Sequence, residues 1–332
     1  MQKVTMADVA KEAGVSKSTV SQYLNKRYEY MSAQTKENIG EAIEKLGYRP
    51  NILARGLKQK RTSMIGVIVA NIMNRFSTEV SRSIEDYFYQ YDFQAIVCNA
   101  DDDAEKEKNY IEMLRAKQVD GLIIFPTGKN LELYRQMVNE KYPVVFMDRK
   151  IENLDATFVL TNNVEASSDA VHQFIRKGHE RIAIVTQPLT ISPRIDRING
   201  YKKALHGYGI PLNPNYMIHT DIHNIKDALL HLFQLPKPPT VLLAGNDLVF
   251  LEVLEFAQLN KIKIPEQLSL VVFDHVPFAH LVNPTISTIA QPSFEMGKKA
   301  AQILLEKINK EVNEQIEYTF PCQFIDRDST IL

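Results

Sequence analysis

The N-terminal part of the chain places apolar side chains at helical spacing in three short segments. In the first segment, Val9 and Ala13 share one face and predict a helix over about residues 6–13. Thr5 stands three residues before Asp8, which is the spacing of an N-cap and its partner carboxylate. A capped helix is therefore expected close to the start of the sequence.

A glycine and a serine separate this segment from the second. Gly14 supplies the left-handed backbone that ends a helix, and Ser16 can cap a second helix over about residues 17–25. Val20 and Leu24 form the apolar face of that helix. Its other faces present side chains that can hydrogen-bond to base edges or phosphates, namely Lys17, Ser18, Ser21 and Gln22. This composition is typical of a helix that recognises DNA.

The third segment begins at a capping serine, Ser32, and stops at Gly47. Its apolar positions recur with a helical period and are expected to face inward: Ile39, Ala42, Ile43 and Leu46. Three such helices can close a compact unit. Spacing alone fits an ordinary helical hairpin equally well.

A basic segment that begins with a proline follows the third helix. Pro50 and Asn51 form a helix start, Gly56 lies inside the short helix, and residues 58–61 are cationic or polar. A helix of about two turns with an internal glycine is marginal by itself. We therefore expect it to fold only on a surface, and Leu57 has too few apolar neighbours to be a core residue.

From Met64 onward, short β-branched runs alternate with amphipathic helical patterns, which is typical of parallel sheets covered on both faces. One set of runs comprises residues 64–70, 95–98, 121–125 and 144–147, and a second set comprises residues 182–185, 241–244 and 270–273. The segment near residues 286–292 is expected to cross back, which returns the helix over residues 294–308 to the first lobe. The predicted fold class is α/β, with a helix-turn-helix head, a hinge helix and two doubly wound parallel-sheet lobes. This two-lobed arrangement resembles that of the periplasmic sugar-binding proteins.

Charge separates the head from the body. Residues 1–62 hold twelve Lys or Arg against six Asp or Glu, a net charge of +6, whereas the whole chain carries −1. A basic head on an acidic body indicates a polyanionic partner for the head alone, which favours a DNA-binding unit over a helical hairpin. With 332 residues and 45% hydrophobic content, the chain can form two or three cores.

Cysteine usage and hydropathy predict a cytoplasmic protein with no membrane partner. Cys98 and Cys322 each stand in an apolar, strand-like run, so buried reduced thiols are expected rather than a disulfide or a metal site. No apolar run approaches the roughly 18 residues that span a bilayer. The first helix is polar and capped, unlike a signal peptide.

Several residues suggest chemistry that their context does not support. The three aspartates at residues 101–103 are expected to form a strand-to-helix turn with an N-capping aspartate rather than a cation site. His219 and His223 lack a third metal ligand and are expected in a solvated loop, and His275 is expected at the rim of the cleft. No phosphate loop, nucleophile elbow or zinc-hydrolase signature appears. We therefore expect neither an enzyme nor a bound metal or cofactor.

Residues that directly follow the predicted strands are candidates for ligand contact, because ligands bind beyond the carboxyl ends of such strands. They are Asn71, Arg75, Phe76, Asp148, Arg149, Asn162, Asn163, Arg194, Arg197, Asn246, Asp247 and Asp274. For any one of them, a helix cap or a surface ion pair is about as common as a ligand contact. Asp247 opens a helix and is expected to cap it.

Four of these candidates are arginines, which is more positive charge than a neutral sugar needs: Arg75, Arg149, Arg194 and Arg197. A guanidinium fork matches a carboxylate bidentately, with about 1.5 to 3 kcal/mol for a charged hydrogen bond. An acidic sugar effector is therefore expected. The same arginines can instead pair with Asp148, Asp196 or Asp274.

Nine stretches, in order along almost the entire chain, resemble the lactose and galactose repressor (LacI/GalR) family of bacterial transcription regulators. They are TMADVAKEAGVSKSTVSQYLN, GYRPNILARGL, MIGVIVANIMNRFSTEV, DGLIIFP, VVFMDR, RINGYKKAL, LAGNDLVFLEVL, LSLVVFDHVPFA and TIAQPSFEMGKKAAQILL. Within that family the chain most resembles the regulators of 2-keto-3-deoxygluconate utilisation, which serve pectin and hexuronate breakdown.

The resemblance implies a DNA-binding surface on the head and hinge. It assigns base recognition to Lys17, Ser18 and Gln22, and it implies a hinge helix that forms on operator DNA and wedges Leu57 into the minor groove. The full expected set is Thr5, Ser16, Lys17, Ser18, Thr19, Ser21, Gln22, Asn25, Asn51, Ala54, Arg55, Leu57 and Lys58. Gln22 departs from the arginine or histidine of some relatives and prefers adenine, so a different operator sequence is expected.

In the body, the resemblance implies that Arg197, Asn246 and Asp274 contact sugar hydroxyls and that Phe76 covers the ligand. The full expected effector set is Asn71, Arg75, Phe76, Asp148, Arg149, Asn163, Arg194, Arg197, Asn246 and Asp274. The expected function is a sequence-specific repressor of a sugar-acid operon, controlled by a small acidic sugar such as 2-keto-3-deoxygluconate. A regulator controlled by a protein co-effector and a repressor that responds to a neutral sugar remain alternatives.

The expected domains are a helix-turn-helix unit over residues 1–47, a hinge over 48–62 and an effector-binding core over 63–332. Lobe 1 is expected at about residues 63–162 and 291–322, and lobe 2 at about 163–290 and 323–332. One recognition helix contacts too few bases, so a homodimer on a pseudo-palindromic double-stranded operator is expected. The last residues lack apolar heptads, so no tetramer is expected.

Overall fold

The computed structural model describes residues 4–49, 61–311 and 314–330. It divides into two compact units, Met1–Thr62 and Ser63–Leu332. Five of the expected DNA-contact positions lie outside the described residues: Asn51, Ala54, Arg55, Leu57 and Lys58.

The first unit contains the three predicted helices, α1 (Met6–Glu12), α2 (Lys17–Leu24) and α3 (Ala33–Leu46). The Asp8 carboxylate accepts hydrogen bonds from the Thr5 amide at 2.8 Å and the Thr5 hydroxyl at 2.6 Å. The Ser16 hydroxyl accepts one from the Thr19 amide at 3.1 Å. These caps fix where α1 and α2 begin, and both helices end one residue before the expected bound.

The core of this unit draws one fully buried side chain from each helix, namely Val9, Val20 and Ile39. Gly14 and Gly47 have φ of +64° and +59°, so each supplies the left-handed backbone that the sequence predicted. Because the apolar faces of all three helices meet in this core, the polar face of α2 is left toward solvent.

The first lobe of the second unit is built on a six-stranded parallel sheet. Its strands are β1 (Met64–Val69), β2 (Gln94–Asn99), β3 (Gly121–Ile124), β4 (Val144–Met147), β5 (Phe158–Thr161) and β11 (Glu317–Phe320). Their order is β11-β5-β4-β3-β1-β2. The central strands β3, β4 and β5 are buried along their whole length, as expected for a parallel sheet covered on both faces.

Four helices cover this sheet: α4 (Arg75–Tyr89), α5 (Ala104–Ala116), α6 (Leu131–Asn139) and α11 (Ser293–Asn309). The last of them comes from far along the chain, yet its Met296, Ala300 and Leu304 are fully buried in the core of the first lobe. Gly297 permits its close approach to α4, because a Cβ there would lie 2.7 Å from the Val80 carbonyl oxygen.

The second lobe has its own six-stranded sheet, with β6 (Ile182–Thr186), β7 (Met217–His219), β8 (Val241–Ala244), β9 (Ser269–Phe273), β10 (Ser287–Ala290) and β12 (Gln323–Ile325). The order is β12-β10-β9-β8-β6-β7, and β12 is antiparallel to β10 while the other pairings are parallel. Its α-helices are α7 (Asn163–Arg176), α8 (Ser192–Gly207), α9 (Ile225–Phe233) and α10 (Asp247–Leu259).

The chain crosses between the lobes three times, at residues 161–163, 290–293 and 320–323. Side chains of the crossings bond to one another. The Thr161 hydroxyl donates to Gln291 Oε1 at 3.0 Å, and the Cys322 amide donates to Asn162 Oδ1 at 2.8 Å. These bonds hold the three crossings together.

The α/β fold class with two parallel-sheet lobes is confirmed, but five strands were not predicted: β5, β7, β10, β11 and β12. Each has only three or four residues and includes at least one polar side chain, so none forms the continuous apolar run by which the equally short β3, β4 and β8 were recognised. In the described part of the chain, no helix is long and apolar enough to cross a bilayer.

Both cysteines are free thiols, but only one lies in a strand. Cys98 is buried in β2 as expected. Cys322 lies in the two-residue connection between β11 and β12, because Pro321 cannot donate a ladder hydrogen bond and so ends β11. Burial raises the pKa of both thiols, that of Cys322 to about 12.

The two histidines at metal-ligand spacing are exposed, but only one of them lies outside a strand. His219 ends β7, so the expected loop is wrong at this residue, because the strand pairs with distant β6. His223 lies in a 3-10 turn over Ile222–Asn224. Over residues 4–49, 61–311 and 314–330, no three side chains of the metal-binding types come together.

Candidate DNA-recognition face and effector cleft

The second helix of the head exposes the side chains that were predicted to recognise bases. Lys17, Ser18 and Gln22 are exposed on α2, on the side away from buried Val20. These three residues offer a cation, a hydroxyl and a carboxamide on one accessible surface. The arrangement suits hydrogen bonding to base edges and phosphates in a major groove.

The remaining predicted contacts of the head surround this helix and also cap it. Ser16 and Thr19 hydroxyls lie 2.8 Å apart at the helix start, while Thr5 is held by Asp8 at the start of α1. Asn25 Nδ2 donates to the Ser21 carbonyl at 2.7 Å and so closes the other end. These side chains therefore have a structural role besides any contact with DNA.

The body contains a cleft between its two lobes, with about 590 Å³ of space that is partly open to solvent. The carboxyl ends of strands from both sheets meet there, as the fold class predicts. Eight expected effector residues line it: Asn71, Phe76, Asp148, Arg149, Arg194, Arg197, Asn246 and Asp274. Further lining residues that were not predicted include Asn74, Ser77, Asp102, Phe125, Gln187 and Gln291.

Arg197 is the most firmly held cation of the cleft. Its Nε donates to Asn163 Oδ1 at 2.9 Å, and its Nη1 donates to the Gly245 carbonyl at 2.5 Å. Its guanidinium carbon lies 3.6 Å from the centroid of the Phe273 ring, and the residue is 5% exposed. Asn163 itself does not line the cleft, so its observed role is to orient Arg197.

Asp274 places a buried carboxylate beside this arginine. It accepts a hydrogen bond from Gln291 Nε2 at 2.5 Å and a longer one from the Asp247 amide at 3.3 Å. Burial raises the pKa of Asp274 to about 7, with Arg197 opposing the shift and Asp247 adding to it. The charge of this carboxyl group therefore changes near neutral pH.

Arg149 and Arg194 converge on a second carboxylate of the cleft, that of Asp102. Arg149 Nη1 lies 2.7 Å from Asp102 Oδ1, and Arg194 Nη2 lies 3.4 Å from Asp102 Oδ2. Asp103, and not Asp102, is the N-cap of α5, since its side chain accepts from the Lys106 amide at 2.8 Å. The predicted capping turn is confirmed, but the turn also delivers Asp102 into the cleft.

The third carboxylate of the cleft, Asp148, has unused hydrogen-bonding capacity. Its Oδ2 lies 3.8 Å from Arg149 Nε, whereas its Oδ1 and Arg149 Nε are buried without a hydrogen-bond partner within the described residues. Burial raises the pKa of Asp148, and Arg149 and Arg197 oppose that rise. A ligand in the cleft can satisfy these two atoms.

Arg75 does not line the cleft, so the expectation of four cleft arginines is wrong. Arg75 is the first residue of α4, and its side chain pairs with Glu79 on the same helix face at 2.8 Å while remaining half exposed. Three arginines line the cleft instead. The i,i+4 spacing on α4 explains why the side chain turns away.

Three other candidates have structural roles: Asn162, Asn246 and Asp247. The Asn162 side chain accepts a hydrogen bond from the Cys322 amide. His275 is exposed and is not among the residues that line the cleft. Asn246 is the N-cap of α10, accepting from the Val249 amide at 2.9 Å, so the expectation that Asp247 caps this helix is wrong. The Asp247 carboxylate instead accepts from Asn74 Nδ2 at 2.5 Å and from the Arg75 amide at 2.8 Å. It therefore joins the second lobe to the first.

Comparison with known proteins identifies this architecture. A family profile described as Bacterial regulatory proteins, lacI family, matches residues 5–51, and one described as Periplasmic binding proteins and sugar binding domain of LacI family matches residues 62–328. The chain belongs to the LacI family. As a LacI-family member it is a DNA-binding transcriptional repressor and not an enzyme, which confirms both predictions.

Individual LacI-family relatives cover nearly the whole chain. The Probable HTH-type transcriptional regulator EndR of Paenibacillus polymyxa is 48% identical over 94% of this chain and 93% of its own length. The HTH-type transcriptional regulator KdgR of Bacillus subtilis (strain 168) is 35% identical over 92% of this chain and 91% of its own length.

Among solved structures, the lac repressor dimer bound to operator and the anti-inducer ONPF has a TM-score of 0.88 and covers 100% of both chains. At 23% identity, this likeness supports the fold alone.

Proposed function

We propose that this LacI-family repressor is a cytoplasmic homodimer whose operator binding is controlled by a small acidic sugar, with 2-keto-3-deoxygluconate as the first candidate. The observation that carries the proposal is the set of three guanidinium groups that line one cleft, those of Arg149, Arg194 and Arg197. Guanidinium groups bind carboxylates bidentately and with more directional strength than a neutral hydroxyl requires.

The charge balance of the cleft supports an anionic ligand. Three aspartates also line it, Asp102, Asp148 and Asp274, so its formal charge is zero. Burial raises the pKa of Asp148 and Asp274, which favours their uncharged forms. The cleft is therefore more cationic than its composition suggests, and one added carboxylate improves its balance.

The other walls of the cleft suit the rest of a sugar. Asn246 and Gln291 offer carboxamides for hydroxyl groups, and Asp274 offers a carboxyl that can accept or donate as it titrates. Phe76 and Phe125 meet edge to face, with ring centroids 6.2 Å apart, and form an apolar wall. A few polar groups beside an aromatic surface are typical of small-molecule sites.

The dimer is supported by exposed apolar side chains close to where α10 begins. Leu251 is 48% exposed beside Phe250, whose ring stacks on that of Phe278 at 6.3 Å, and Leu281, one helical turn beyond Phe278, is 75% exposed. Met73 is 78% exposed directly before the α4 turn that Asp247 contacts. Exposed apolar patches mark protein–protein interfaces, and a second copy of the chain would also supply the second recognition helix.

The effector class is tested with a ligand panel on the full-length dimer. We expect 2-keto-3-deoxygluconate to raise the melting temperature and to change operator affinity by about 5- to 150-fold, the usual range of allosteric coupling. Arg194→Gln should weaken acid binding about tenfold or more, since it removes a charged hydrogen bond. Arg82→Gln is the matched control, because Arg82 pairs with Asp86 on the exposed surface of α4. Stabilisation by neutral hexoses, without any effect of hexuronate-derived keto acids, would contradict the proposal.

A further inference from the structure

The Asp102 carboxylate forms a bridge between the two lobes. Asp102 and Arg149 belong to the first lobe, at the ends of β2 and β4, whereas Arg194 belongs to α8 of the second lobe. The carboxylate lies 2.7 Å from Arg149 Nη1 and 3.4 Å from Arg194 Nη2. The Asp102 carboxylate therefore lies between two guanidinium groups, where the carboxylate of an anionic ligand would also bind.

Both arginines are anchored independently of this aspartate. Arg149 Nη1 also donates to the Pro126 carbonyl at 3.1 Å. Arg194 donates to the Pro188 carbonyl at 3.1 Å and to Gln187 Oε1 at 3.3 Å. The two guanidinium groups would consequently keep their places if Asp102 moved away.

The Asp102 side chain, in contrast, is partly exposed and can move out of the cleft. Its side chain is 36% exposed, compared with 7% for Arg149 and 13% for Arg194. Its backbone has φ of +56° and follows Asp101 with φ of +54°, a left-handed turn that places it at the cleft edge. Its Oδ2 accepts only the 3.4 Å hydrogen bond from Arg194, and its buried Oδ1 makes no hydrogen bond within the described residues, so charge is the main force that holds this side chain.

The electrostatics of the cleft favour an anion between Arg149 and Arg194. Burial lowers the pKa of Arg194, Asp102 opposes that shift, and Arg149 and Arg197 add to it. The carboxylate of Asp102 thus offsets repulsion among three buried cations. A ligand carboxylate can provide the same compensation, whereas a neutral sugar cannot.

We propose that Asp102 is a built-in substitute for the effector's carboxylate: it bridges Arg149 and Arg194 before the effector binds and is displaced when an anionic sugar binds both arginines. This inference rests on the acidic effector proposed above. It makes Asp102 a determinant of specificity, because only a ligand that replaces its charge can release it. Displacement also breaks one contact between the lobes.

The test is calorimetric titration of the full-length protein with 2-keto-3-deoxygluconate and with glucose. Asp102→Asn removes the competing charge, and asparagine tolerates the left-handed backbone. We expect it to bind the acid about tenfold more tightly than the wild type, as loss of one competing charged contact implies, with glucose binding unchanged. Asp102→Gly provides a second variant that fits the same backbone.

Asp101→Asn is the matched control, because Asp101 pairs with Lys106 at 2.5 Å. It should bind both ligands like the wild type. Acid binding by the wild type together with equal or weaker acid binding by both Asp102 variants would overturn the substitution by Asp102 alone. Binding of glucose but not of the acid by every form would overturn the acidic effector as well.

Discussion

Replacing Arg197 by methionine isolates the structural contribution of the buried cation from its proposed contact with a ligand. Methionine has a similar length and no charge, so the change removes the hydrogen bonds to Asn163 Oδ1 and the Gly245 carbonyl. It also removes the contact of the guanidinium with the Phe273 ring. Both oxygen acceptors are left buried and without that donor.

The expected loss follows from these contacts. Hydrogen bonds that involve a charged group contribute about 1.5 to 3 kcal/mol each, and a cation over an aromatic ring adds about 1 kcal/mol. Relief from burying the charge offsets part of this sum, although breaking one side of a buried charged network still costs about 3 to 5 kcal/mol. We therefore expect Arg197→Met to lower the free energy of unfolding by about 3 kcal/mol.

The measurement is equilibrium unfolding in urea without ligand, followed by circular dichroism because the chain has no tryptophan. Arg194→Met is the matched control in the same cleft, since its protein contacts are longer, between 3.1 and 3.4 Å. That control should lose less, about 1 to 2 kcal/mol, because its partner Asp102 is 36% exposed and can be solvated. If Arg197→Met stayed within about 1 kcal/mol of the wild type, Arg197 would not be the group that holds the cleft wall together.

Three other substitutions probe separate features of the chain. Gly200→Ala should lower the free energy of unfolding by several kcal/mol, because its Cβ would lie 2.2 Å from the Val164 carbonyl oxygen. Gly207→Ala on the same helix is the control, since its Cβ meets nothing within 4 Å and the change should be neutral or stabilising. Equal urea midpoints for the two variants would contradict this. Asp274 has its pKa raised from 3.8 to about 7, so its contribution to stability is present at low pH and is lost as pH rises through that window. Asp274→Asn should therefore flatten the decline in the free energy of unfolding between about pH 4 and 7. An unchanged dependence of that free energy on pH would refute the assignment. Gln22→Ala should relax base preference at one operator position while leaving the salt dependence of binding unchanged. Titration with base-substituted operators at several salt concentrations measures both quantities. Equal loss of affinity for every operator would indicate a phosphate contact instead.

The head was predictable because its signals are local. Capping by Thr5 and Ser16, the break at Gly14 and the apolar faces all act within a few residues of one another. The central strands of both sheets were predictable for a similar reason, since continuous β-branched runs have few alternatives. The short strands β5, β10 and β12 exist only because distant strands pair with them, and that information is not local.

The cleft shows the same division. Asn246 and Asp274 follow the continuous apolar strands β8 and β9, so strand ends located them correctly at the cleft wall. Asp102 follows β2 in the same way, but the capping role of its neighbour Asp103 provided a sufficient local explanation. Gln291 reaches the cleft from a crossing between lobes, and Arg75 leaves it through a pair with Glu79. Both outcomes depend on tertiary geometry that spacing does not encode.

The three crossings also determine when the body can fold during synthesis. The core of the first lobe needs Met296, Ala300 and Leu304 from α11, and its sheet needs β11, so both arrive only after most of the second lobe has been translated. The second lobe in turn receives β12 last. A nascent chain that ends at residue 290 therefore exposes the apolar core of the first lobe and the unpaired edge of β10 in the second. Nascent chains of this protein should depend on chaperones until close to the end of translation, and a premature stop before α11 should yield an aggregation-prone fragment rather than a single stable lobe.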